Sequence, residues 1–139
     1  MKEEGRETYF AKHPFTPEQI LQTLDSGLED LEIARTANHP KVRFNYSYNA
    51  LLKSGIALIA FREGLKVKSR PGHHVKILEK LSKGLKDKTI LDVGDKMRRD
   101  RNFDLYAGGG FVSESESREY FDFVEKILKR VREMVKHGR

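Results

Sequence analysis

The chain predicts an all-α fold, an antiparallel up-and-down bundle of four main helices plus a shorter one. Three observations carry that expectation. Apolar residues recur with helical spacing, few positions look like strands, and short connections join the periodic segments. Its 139 residues make one domain, with residues 1–15 as an N-terminal extension and residues 16–139 as the helical body. Hydrophobic content of 37% beside 35% charge describes a solvated globule rather than a disordered tail. No apolar run approaches the ~20 residues of a membrane span, and the longest candidate is Ile56 to Phe61. The opening MKEEGRETYF has no apolar stretch like that of a signal peptide. Zero cysteines exclude disulfides and thiolate chemistry, so the expectation is a cytoplasmic protein away from membranes.

The elements follow from their punctuation. Thr16-Pro17-Glu18-Gln19 is a capping box with proline at the first helical position, and it opens a helix with the stripe Ile20, Leu24, Leu28, Leu31, Ala34. Asn38-His39-Pro40 ends that helix and starts a second, about 41–63. Phe44, Tyr48, Leu51, Gly55, Leu58 and Ile59 share one face of it, and Ile56, Ala57, Ala60 and Phe61 extend the apolar surface, so this helix should be the most buried. Asn45, Asn49 and Lys53 form a separate polar stripe, either plain surface or the wall of a cleft.

Gly64 closes the second helix, and the basic connector 66–70 leads to Pro71-Gly72-His73-His74. The third helix carries Val75, Leu78 and Leu81 and should end near Gly84; the fourth covers 89–106. Gly108-Gly109-Gly110 reads as a flexible link, since it lacks the Lys-Ser/Thr ending of a P-loop. Ser113-Glu114-Ser115-Glu116 is a second capping box, opening a last helix striped by Tyr120, Val124, Ile127, Leu128, Val131, Met134 and Val135.

Charge is unevenly distributed. Residues 62–101 hold thirteen Lys/Arg against six Asp/Glu, while the rest of the chain is near neutral. A basic middle suits a polyanion such as RNA or a nucleotide, although lysines such as Lys76, Lys80 and Lys83 also serve as a solubilising face.

The fourth helix is the most informative segment. Ile90, Val93, Met97 and Leu105 share an apolar face at ~100° per residue, and Arg101 and Asp104 fall in the middle of it. A charge costs several kcal/mol in a dry core unless it is paired or meets a wet cleft. Arg101 therefore either pairs with Asp104 one turn later, or packs at a dimer contact, or lines a phosphate-binding site. His73 and His74 point ~100° apart on a helix and make a poor chelating pair, so neither a metal nor a cofactor is expected.

In this order the elements resemble the HEPN superfamily. The residues that carry the resemblance are Arg43-Phe44-Asn45-Tyr46-Ser47-Tyr48-Asn49-Ala50, Gly72-His73-His74, Arg98-Arg99-Asp100-Arg101-Asn102 with Tyr106, and the capped final helix, together spanning roughly residues 17–136. The resemblance implies a HEPN-like bundle paired as a homodimer. Many members are metal-independent ribonucleases in toxin–antitoxin, antiphage or RNA-processing systems, with an Arg, a polar residue and a later His meeting in a dimer cleft. Carried over, Arg101 takes the Arg position, Asn102 the polar one, and Tyr106 stands where His is expected; Arg98, Asn49 and His74 are supporting residues. Imidazole titrates near ~6.5 and phenol near ~10, so Tyr106 is a poor general base.

The leading expectation is a non-catalytic or weakly catalytic RNA- or nucleotide-binding protein of a toxin–antitoxin or defence type. One alternative is a metal-independent endoribonuclease using Arg101 with Tyr106 or His74. The other is a helical partner of a nucleotidyltransferase-like protein.

Overall fold

The computed structural model describes the backbone of residues 9–107 and 112–138, and the side chains of all of these except 104–107. Among them the chain runs β1 (Phe10–Lys12), α1 (Pro17–Thr36), α2 (Pro40–Glu63), β2 (Leu65–Val67), α3 (His73–Leu85), α4 (Lys88–Ala107) and α5 (Glu114–Lys136). The molecule is a helical bundle with one small sheet. The expected link Gly108-Gly109-Gly110 lies outside the described residues.

Both capping boxes form. Thr16 accepts from the Gln19 backbone while Gln19 reaches back to Thr16, and Ser113 and Glu116 do the same at α5. His39 caps α2, its Nδ1 accepting from the Lys41 N–H ahead of the proline-bearing first turn. Thirteen residues of α2 are buried, which makes it the central helix, packed against α1, α3 and α5. Its polar stripe faces α1 at one end, where Lys53 Nζ pairs with Asp30 at 2.7 Å and donates to Ser26 Oγ at 2.8 Å.

One sequence expectation needs correction. Residues 10–12 and 65–67, read as extension and connector, pair as antiparallel strands with Phe10 opposite Val67 and Lys12 opposite Leu65. Leu65 and Phe10 are buried there, so the small sheet is sewn into the core. The α3 helix ends beside Gly84 as expected, running to Leu85 and closing on Lys86 in the left-handed conformation. The glycine also serves close packing: a Cβ at residue 84 would lie 2.8 Å from Leu58 Cδ2. Gly94 does the same between α4 and α3, where a Cβ would lie 2.7 Å from Leu78 Cδ2.

Candidate functional site

The site is built by the hairpin of α3 and α4. Its turn is short and heavily bonded. Asp87 N–H donates to the Ser82 carbonyl at 3.0 Å, and Ser82 Oγ donates to the Asp87 carbonyl at 2.6 Å. The Asp87 carboxylate accepts from Thr89 N at 3.0 Å, capping α4, and pairs with Arg130 of α5 at 3.2 Å. Two antiparallel helices leaving such a turn place residues equally distant from it side by side. His74 lies thirteen residues before Asp87 and Arg101 thirteen after Lys88. They meet at the far end of the hairpin.

There a cleft of about 370 Å³ opens, lined by Ser69, Arg70, Pro71, Gly72, His73 and His74 on one side and by Arg98, Arg101 and Asn102 on the other. The volume lies at the lower end of the roughly 300–1,000 Å³ of small-molecule sites. Among the described residues no carboxylate lines it. Arg98 is tied to Asp95 at 2.8 Å, whereas no ion pair joins Arg101 to a carboxylate among the described residues. The side chain of Asp104, the expected partner of Arg101, lies outside the described residues.

Arg101 continues the buried stripe Ile90, Gly94, Met97 one turn further, which carries its guanidinium over α2. There its central carbon stands 5.8 Å from the centroid of the Tyr48 ring, a cation–π contact. The Tyr48 hydroxyl lies 2.9 Å from His74 Nδ1, and the two rings meet edge to face at 5.6 Å. Burial pushes the Tyr48 phenol up to about 12, with Arg101 and Arg98 pulling the other way and Asp95 adding to the rise. Burial likewise pushes His74 down to about 4, helped by His73, Arg101 and Arg98. His74 is thus neutral at physiological pH. His73 packs on it at 4.4 Å and donates from Nδ1 to the Arg70 carbonyl at 2.5 Å.

The rim is braced from the N-terminal side. Tyr9 donates its hydroxyl to the Pro71 carbonyl at 3.2 Å, and the Tyr9 carbonyl accepts from Lys68 N at 2.8 Å. Gly72, at φ 86°, then turns the chain into α3.

Of the residues singled out in the sequence, Arg98, Arg101, Asn102 and His74 come together in the cleft. Asn49 does not: it follows Tyr48 by one residue, so the ~100° step that buries the tyrosine turns the asparagine to the exposed side of α2. The Tyr106 side chain lies outside the described residues. Periodicity alone puts Tyr48 in the core without a link to the site, and Arg70 in a connector. Equal distance from the α3–α4 turn is the signal that joins His74 to Arg101.

Chemically, the cleft gathers guanidinium, amide and imidazole groups around one space, with no acid among its described lining residues. Such a set suits a phosphate or carboxylate oxygen. Among the described residues no three His, Asp or Glu side chains converge as metal ligands, and no helix is long and apolar enough to cross a membrane. Comparison with protein-family models, curated proteins and solved structures gives no match to this chain.

Proposed function

We propose that this chain is a HEPN-like, up-and-down helical protein that binds the phosphate of RNA or a nucleotide in the α3–α4 cleft, in a toxin–antitoxin or defence setting. One observation carries the reading: Arg98, Arg101 and Asn102 face His73 and His74 across a space that no carboxylate lines among the described residues. Arg101 is the central group. Its planar fork can hold two phosphate oxygens, and its seat on Tyr48 fixes it without neutralising it. The basic excess of residues 62–101 adds a field that draws a polyanion toward that end.

His74 favours binding over cleavage. A proton shuttle works best with a pKa near the operating pH, and His74 is held down at about 4. A neutral imidazole there can still hydrogen-bond an oxygen. The endoribonuclease reading draws on His73, a second imidazole in the same cleft, and predicts RNA cleavage in EDTA.

A homodimer belongs to the proposal. Phe103, 56% exposed beside the cleft residue Asn102, is apolar surface that a second copy would cover. Light scattering at tens of micromolar tests it, and a monomer would remove the shared-cleft arrangement.

The decisive experiment incubates the protein with single-stranded RNA in EDTA over a salt series, wild type beside Arg101→Ala. Salt-sensitive binding without cleavage, weakened about tenfold or more in the variant, is the expected result. Equal binding by both proteins would remove the cleft from consideration.

A further inference from the structure

Two of the donors in the cleft, Arg101 and His74, rest on one residue that never reaches the candidate anion. Tyr48 is 0% exposed, and its hydroxyl hydrogen-bonds only His74 among the described residues. Two proton arrangements satisfy the 2.9 Å separation. If His74 donated from Nδ1, the Tyr48 O–H would be left without an acceptor in a dry site, and buried donors are rarely left so. If the hydroxyl donates instead, both groups are satisfied. The single proton of the neutral ring then sits on Nε2, the nitrogen left for the cleft.

The neighbouring ring shows the opposite setting. A carbonyl can only accept, so the bond to Arg70 fixes His73 with its proton on Nδ1. Two adjacent imidazoles are thereby held in complementary forms, one by a phenol and one by the backbone.

We propose that Tyr48 is the positioning residue of the cleft: its buried hydroxyl holds His74 as the Nε2–H tautomer while its ring seats Arg101, so that both side chains present donors to one bound anion. Because His74 carries no charge at physiological pH, its tautomer decides whether its open nitrogen offers a proton or a lone pair. A lone pair there would repel the phosphate oxygen that Arg101 attracts. The proposal takes its ligand from the anion-cleft reading above, whereas the hold on the tautomer needs only the neutral, buried ring and its contact with Tyr48.

Imidazole nitrogen NMR at neutral pH tests it, on wild type and Tyr48→Phe, each titrated with inorganic phosphate. The phenylalanine keeps the ring under Arg101 and removes only the hydroxyl. Wild-type His74 is expected as Nε2–H, and Tyr48→Phe is expected to move it toward Nδ1–H, with phosphate binding weakened about 3- to 10-fold. His73 should keep its proton on Nδ1 in both. A wild-type His74 protonated at Nδ1 would overturn the proposal, as would a variant with unchanged tautomer and affinity. The wild-type spectrum decides the tautomer by itself, even where the Tyr48→Phe chain fails to fold. If phosphate perturbs neither protein while the tautomer behaves as expected, the tyrosine's hold is supported and the anion-cleft reading falls.

Discussion

Arg43 and Arg101 each bring a guanidinium inward from a helix, and the fold treats them differently. Arg43, 2% exposed, donates to Glu114 at 3.2 Å, to Ser117 Oγ at 3.0 Å and to the Ala37 carbonyl. It locks the α1–α2 turn to the first turn of α5. Arg101 is half-buried at the cleft, lies on an aromatic face and meets no carboxylate among the described residues. One guanidinium is held by the protein's own acceptors, while the other lines an open cleft. Burial alone therefore does not mark a candidate binding arginine; what marks the candidate is a place beside open space with no carboxylate among the described residues.

Truncating each arginine in turn puts the contrast under the greatest strain. Arg43→Ala removes three hydrogen bonds and leaves a buried gap, so unfolding by denaturant should show a loss of about 3 kcal/mol. Arg101→Ala gives up a cation–π contact, and its stability loss should stay within about 1 kcal/mol. Its cost should appear in RNA binding instead, with the salt dependence shallower by about one phosphate contact. A large stability loss in Arg101→Ala would make the two arginines alike and remove the distinction.

Acid separates the two regions along the pH axis. His74 titrates at 6.5 when free and at about 4 in the fold, so the unfolded chain takes up that proton first. Stability from this group is level above about pH 6.5, falls as pH drops toward about 4, and His74→Gln should flatten that part of a melting profile. Glu114 behaves otherwise. Its bond to Arg43 holds its carboxyl below the ordinary value, with Arg118 contributing, so its support is full above that value and disappears only in stronger acid. A melting profile with no decline between neutrality and about pH 5 would contradict the burial of His74.

The smallest expected effect lies at the hairpin turn. Lys86 holds φ 55°, where glycine is at ease and a side chain is not. Lys86→Gly should raise stability by up to about 1 kcal/mol while leaving phosphate binding at the other end of the hairpin unchanged. A change in binding would show that the turn and the cleft are coupled.

Much of the helical framework was legible because its signals are local. Thr16, Pro40, Gly64 and Ser113 each mark an end by chemistry within four residues. The strands were not, since three residues are too few to display a period and their partners lie more than fifty positions apart. Gly84 marked the end of α3 to within a residue, but its packing role stayed hidden, because a glycine near a helix end and one that lets two helices touch look identical in a sequence. At the site, Arg101 was legible as a charge on an oily stripe. Tyr48 was not, because an aromatic on a buried helix face has the same pattern whether or not its hydroxyl has work to do. Asn49 suits a cleft by its polarity, and one residue's rotation keeps it out.

The short β1 strand sets a boundary that the helices do not reveal. A fragment trimmed to begin at residue 16 would retain all five helices and look intact by circular dichroism. It would nonetheless lack Phe10, which is buried in the core, and Tyr9, whose two bonds brace the turn before α3. Such a fragment would have a slack doorway on a sound house, and a binding assay performed on it would measure the trimming.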